Sequence, residues 1–212
     1  MTDKDVLDPL ARNLAGPMHS ALVSGRRCQR LSSALASLIG EKEISGLDIG
    51  CGTGAIANQI ESLLPGVKFK GADVIVRADA LVEVIKYDGM VLPFEDKSFD
   101  FSMLVDVLHH TQQPALVLKE AVRVTRNFIV IKDHYCENKV DEAVLSFMDW
   151  VGNRAHGVPL PYNYQSRASW EAIFAACSLD REKVVDALNL YPFPFSLVFE
   201  RGLHFAARLA TR

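Results

Sequence analysis

Residues 46–56 read GLDIGCGTGAI. No other stretch constrains the fold as strongly. An apolar run enters it, three alternating glycines (Gly50, Gly52, Gly54) interrupt it, and a helical pattern leaves it. Glycine permits positive φ and lets a ligand approach the backbone closely. A strand that feeds such a turn and then a helix is the opening unit of an α/β sheet, with the turn facing a ligand.

The strand–turn–helix pattern repeats downstream. Ile44–Ile49 reads as a strand, and Ala55–Leu64 as a helix stopped by Pro65-Gly66. Val67–Val74 reads as a second strand, 78–85 as a short helical or irregular crossover, and Ile85–Tyr87 as a brief third strand. Phe99–Val105 is an apolar fourth strand after the turn signal EDKS. Pro114–Val124 is a helix with proline in its first turn, and Phe128–Lys132 is a fifth strand. Alternation of this kind predicts a parallel sheet with helices on both faces, binding its ligand beyond the carboxyl ends of the strands. In the tail, Ala168–Cys177 reads as a helix, and Val184–Leu190 and His204–Leu209 as two late strands forming an antiparallel hairpin.

Two segments flank this core within one expected domain, 1–212. Residues 1–43 form a helical N-terminal segment, in which Leu22, Leu31, Leu35 and Leu38 recur at roughly helical spacing. Residues 134–167 form an insertion over the mouth of the site, helical from Asp141 to Trp150, since long loops in compact domains are usually functional.

Composition narrows the function. With 212 residues, 49% hydrophobic and 23% charged, the chain is an ordinary globular one. A net charge of −3 argues against a general nucleic-acid binder. The N-terminus MTDKDVLDPLARN shows no signal-peptide pattern, and no apolar run reaches the length of a membrane span. The four cysteines are scattered with no CxxC pair, so no metal or disulfide framework is expected and a reducing cytoplasm is the natural setting. The expected partner is a small molecule; nothing in the sequence sets the oligomeric state.

Gly50-x-Gly52-x-x-Ala55 also satisfies a dinucleotide fingerprint with alanine in third place, which keeps NAD open. Charge points elsewhere. A dinucleotide puts its pyrophosphate at this turn, yet Asp48 stands two residues before Gly50. A carboxylate there suits a cationic ligand such as S-adenosylmethionine, with its ammonium and sulfonium groups. Asp73 closes the second strand roughly 20 residues past the last glycine, the spacing at which an acid can hold ribose hydroxyls. Asp88 closes the third strand and Asp106 the fourth. Four acids at four successive strand ends form a pattern rather than a set of solvated turns.

The run LDIGCGTG, GADV, YDGMVLPFEDKSFDFSMLVDVLHH and AVRVTRNFIVIKDH, from about Ile44 to Lys132, resembles the class I S-adenosylmethionine-dependent methyltransferases. It is most similar to the small-molecule enzymes related to quinone biosynthesis. The resemblance implies a Rossmann-like α/β fold: a seven-stranded, mostly parallel sheet with an antiparallel C-terminal hairpin and helices on both faces. It also implies roles. Asp48, Gly50, Cys51, Gly52 and Gly54 would line the methionine end of the cofactor, Asp73 the ribose, and Asp88 with Gly89 the adenine. Asp106 and Val107 would sit beside the cofactor under the substrate pocket. One departure is that Asp73 is followed by VIVRADALVEV rather than the regular helix common in the family.

Methyl transfer is an in-line displacement that needs alignment, exclusion of water and, for a hydroxyl or carbon acid, a base. His110, just past the fourth strand, is the first candidate, followed by His109, Asp133 and His134. Arg26, beside Arg27, together with His156, Tyr162 and Tyr164, are candidates for the substrate. The family's amino- and base-methylating members often carry Asn/Asp-Pro-Pro-Tyr/Phe after the fourth strand. Here the stretch is DVLHH, which points to oxygen or carbon acceptors. Two other readings remain: a non-catalytic module that binds the same cofactor, and an NAD-dependent oxidoreductase.

Overall fold

Apolar runs bounded by turn residues become the central strands. The computed structural model describes residues 24–40, 42, 44–153 and 160–212. Helix α1 (Ser24–Ile39) precedes β1 (Ile44–Ile49), α2 (Ala55–Leu63), β2 (Val67–Asp73), β3 (Val84–Lys86) and β4 (Phe99–Val105). A tight helical turn (Leu108–His110) leads to α3 (Pro114–Val124), β5 (Thr125–His134) and α4 (Lys139–Asn153). Then come α5 (Arg167–Ala176), β6 (Leu179–Val185), α6 (Ser196–Phe199) and β7 (His204–Thr211).

The seven strands lie in the order β3-β2-β1-β4-β5-β7-β6. The first five are parallel, and β7 runs antiparallel to both β5 and β6. The expected fold class is the observed one. After β1 the chain winds outward through β2 and β3, then returns to place β4 on the other side of β1. That reversal between β1 and β4 opens a cleft at their carboxyl ends.

Alternation along each strand sends residues to two cores. Leu47, Ile49, Leu104 and Ile131 pack with α3 and α5, around the buried Trp170 and Phe174. Phe69, Phe101, Met103 and Val130 pack with α1 and α2, through Leu31, Leu35, Ala57 and Ile60. Gly46 makes room for this second core: a Cβ there would stand 2.5 Å from the Phe101 ring. Both faces therefore carry helices, as the alternation predicts.

The structure corrects the limits of the sixth and fifth strands. The sixth strand is Leu179–Val185 rather than 184–190. Leu188 and Leu190 are buried, but they pack into the α1–α2 core instead of pairing with β7. The fifth strand runs three residues earlier and two later than expected, because its far end pairs His134 with His204. Of the two forms expected for the crossover before β3 the irregular one is observed, tied to the glycine turn by the Leu81 N–H donating to the Thr53 carbonyl at 2.8 Å. Among the described residues, no helix is long and apolar enough to cross a membrane.

Candidate active site

The glycine turn caps the carboxyl end of β1. Gly50, Gly52 and Gly54 all have positive φ. Packing and access divide them. A Cβ on Gly50 would stand 2.5 Å from Val107, and one on Gly54 2.5 Å from Val82. At Gly52 the nearest atom to such a Cβ is 3.9 Å away, so this backbone faces open space. Cys51 turns its thiol toward Gly71 of β2, where burial pushes it far above the usual thiol range. Only its backbone is left to line the turn.

Three acids surround this turn in different states. Asp48 is 3% exposed, and no hydrogen bond from a described residue reaches its carboxylate. Burial, and then the nearby Asp73 charge, push it up to about 8. Asp73 accepts from the Gly52 N–H at 2.7 Å and the Ile75 N–H at 2.9 Å, which ties the end of β2 to the turn. Asp88 is exposed and accepts from the Met90 and Val91 N–H groups, both at 2.8 Å, and these bonds hold it below the usual carboxylate range. Gly89 beside it has φ +85. Exposed Val74, Ile75, Met90 and Val91 accompany these two acids and offer an apolar surface.

Asp106 sits at the end of β4 with φ 55 and is held by two cations. Lys132, fully buried in β5, and Arg27 of α1 both bond its carboxylate. Burial opposes its charge, yet the two cations hold it well below the usual range. Arg26, the sequence candidate, is exposed; its neighbour Arg27 is the one that turns inward. Val107 packs against Gly50, so the turn carrying the histidine pair lies directly on the glycine turn.

The two histidines of that pair differ. His109 is 1% exposed, with Nδ1 2.7 Å from Asp133 Oδ1 and Nε2 3.3 Å from Asp149 Oδ2. Burial alone would lower it, but Asp133 and Asp149 outweigh burial and raise it to about 10. At neutral pH it holds its proton and is no base. His110 is half-buried; burial and the His109 charge lower it, so it is neutral at that pH. Asp133 also accepts from the His134 and Leu108 N–H groups and lies well below its usual range. His134 is buried and lowered, first by burial and then by Lys132.

Tyr164 donates to Asp149 and stacks on His109, with ring centroids 5.5 Å apart. Tyr162 is exposed and 6.3 Å from Tyr164, ring to ring. His156 lies outside the described residues. The cleft thus gathers Asp48, Asp106, His109, His110, Asp133, His134 and Tyr164 around the ends of β1, β4 and β5. Lys132 and Asp149 escaped the sequence reading, and Arg27 entered it as a possible substrate contact beside Arg26 rather than as the partner of Asp106. One signal was available: a lysine inside FIVIKDH needs a buried acid as partner.

A doubly wound sheet, a bare turn after β1 and an acid at each following strand end form a Rossmann-like cleft suited to a nucleoside ligand. Residues 47–128 match the family described as a methyltransferase domain. An uncharacterized protein of Methanocaldococcus jannaschii is 33% identical over 81 residues, 38% of this chain and 39% of that one. The norajmaline N-methyltransferase of Rauvolfia serpentina is 30% identical over 90 residues, 37% of this chain and 31% of that one. The matched stretch spans less than two-fifths of either relative. Among solved structures, a SAM-dependent methyltransferase of Thermotoga maritima is similar with a TM-score of 0.65. It is 21% identical, over 95% of this chain and 98% of that one, a likeness of fold.

Proposed function

We propose that this chain binds S-adenosylmethionine and catalyses transfer of its methyl group to an oxygen or carbon of a small organic molecule. One observation carries the reading: Asp48, two residues before a bare turn, is a buried carboxylate that receives no hydrogen bond from a described residue. Burial of an unpaired charge is unfavourable, and a cation in the cleft relieves it. The cofactor's ammonium and sulfonium are such cations; a pyrophosphate would worsen the repulsion. The open backbone at Gly52, the free lone pairs of Asp73 and the apolar rim near Asp88 fit a nucleoside. The methyltransferase-domain match over 47–128 supports the same reading.

When bound, S-adenosylmethionine supplies an electrophilic methyl group whose leaving group is a neutral thioether. The protein's part is to place the acceptor, exclude water and take its proton. His110 is the base: it is neutral at pH 7, one turn from Val107 and the glycine loop. It accepts the hydroxyl or carbon-acid proton as the acceptor's electron pair forms the new bond to the methyl carbon. Arg27 closes α1 over Asp106 from the other side. The named activity of the Rauvolfia relative is N-methylation. We favour oxygen or carbon because DVLHH stands where amino- and base-methylating members often carry a proline-containing signature.

Calorimetry tests the cofactor. S-adenosylmethionine and its demethylated product should bind, and NAD should not. Asp73→Ala should weaken binding by about 1–3 kcal/mol through lost charge-assisted hydrogen bonds. Binding of NAD with indifference to S-adenosylmethionine would overturn the reading.

A further inference from the structure

Beside the cleft, three groups converge with no cation between them. One ring nitrogen each of His109 and His110 and an Asp149 carboxylate oxygen lie within 4.8 Å of one another, and the ring nitrogens left without a hydrogen bond are His109 Nε2 and His110 Nδ1. Both ring nitrogens are buried, and among the described residues neither has a hydrogen-bond partner. That is the state of lone pairs or N–H groups awaiting something.

The geometry selects this trio over a second one. His109, Asp133 and His134 also cluster. There, however, His109 Nδ1 is 2.7 Å from Asp133 Oδ1, which is a hydrogen bond. Two ligands of one tetrahedral zinc at about 2.0–2.1 Å stand about 3.3 Å apart, so 2.7 Å is too short. His109 Nε2 and Asp149 Oδ2 are 3.3 Å apart. Asp133 then plays the outer part: by accepting from His109 Nδ1–H, it would fix the tautomer that offers Nε2 and raise its basicity. Tyr164 does the same for Asp149, donating to its carboxylate.

We propose that His109 Nε2, His110 Nδ1 and Asp149 form a three-ligand site for a divalent metal of zinc type, with the fourth position open to the cleft. Two nitrogens and one oxygen are a ligand set that suits Zn2+, and three protein ligands with an open position are the arrangement of reactive rather than structural zinc. Once Nδ1 is coordinated, His110 no longer serves as a base. A hydroxyl in the open position would then be acidified by the ion itself. The site rests on geometry alone, so its test and the test of cofactor binding can fail separately.

The probe is Zn2+ alone, added to the chelator-treated full chain and followed by calorimetry, with Co2+ absorption as a second readout of tetrahedral ligation. One equivalent of Zn2+ should bind, and Co2+ should show the intense visible bands of a tetrahedral site. Asp149→Asn and His110→Ala should each weaken binding at least tenfold, with circular dichroism confirming that they fold. Asp133→Asn should weaken it about 10–100-fold, as an outer partner does. His134→Gln should leave binding unchanged. No stoichiometric uptake by the wild-type chain would mean that the cluster holds a proton only. Equal affinity in Asp149→Asn and His110→Ala would mean a surface metal. A loss in His134→Gln alone would move the ion to the other cluster. Each of these results overturns the proposal.

Discussion

At Asp48, burial and the Asp73 charge keep a proton on the carboxylate up to about pH 8. A cationic ligand binds the ionised form better, so binding must expel that proton. Affinity for S-adenosylmethionine should therefore rise with pH, by up to about tenfold per unit, and level off above about pH 8. Asp48→Asn should weaken binding and flatten this dependence; calorimetry from pH 6 to 9 reads both. At His110 the sign reverses. Its lowered pKa makes the base form dominant at neutral pH, so His110→Ala in the metal-free enzyme should cost about 10²–10⁴-fold in turnover with cofactor affinity intact. Both residues were legible in the sequence as groups at strand ends. Their protonation states were not, because they depend on neighbours brought in by folding: Asp73 for one, and His109 between Asp133 and Asp149 for the other.

Elements were legible where local and tertiary preferences agree. Strand β4 and helix α3 have the limits read from the sequence, since each is an apolar pattern closed by turn residues or proline. Strand β6 misled because LDREKVV is a polar edge strand, whereas Leu188 and Leu190 after it are buried without pairing. Helix α1 was visible as spaced leucines, but not its purpose. It docks Leu31 and Leu35 into the core and carries Arg27 to Asp106. Leu35→Ala should destabilise the chain by about 2–5 kcal/mol, the usual range for a buried leucine. Lys132→Met removes one of two cations from Asp106 and should cost about 3–5 kcal/mol, as breaking a buried pair does. Urea midpoints measure both. If Lys132→Met is neutral, Arg27 alone neutralises Asp106.

Over the whole molecule, the shifted groups set where stability peaks. His109 titrates near 6.5 when unfolded and at about 10 when folded. Its contribution is complete below about pH 6.5 and is lost as pH rises through 10. Asp48 is also raised, from 3.8 to about 8, so its contribution is complete below 3.8 and is lost as pH rises through 8. Asp133 is lowered, and its contribution is present above 3.8 and lost as acid protonates it. The three windows leave a maximum on the mildly acidic side of neutrality. The metal-free chain should therefore melt at lower temperature at pH 9 than at pH 6, by about 2–4 °C for each kcal/mol lost. Asp149→Asn should shrink that difference, because it removes one of the two carboxylates that hold the His109 proton. S-adenosylmethionine should restore part of the alkaline loss, since it supplies the ionised Asp48 with a counter-charge and binds the folded state alone. Thermal shifts at fixed cofactor concentration should accordingly be larger at pH 8 than at pH 6. The reverse order would disconnect Asp48 from the cofactor while leaving the His109 network untouched.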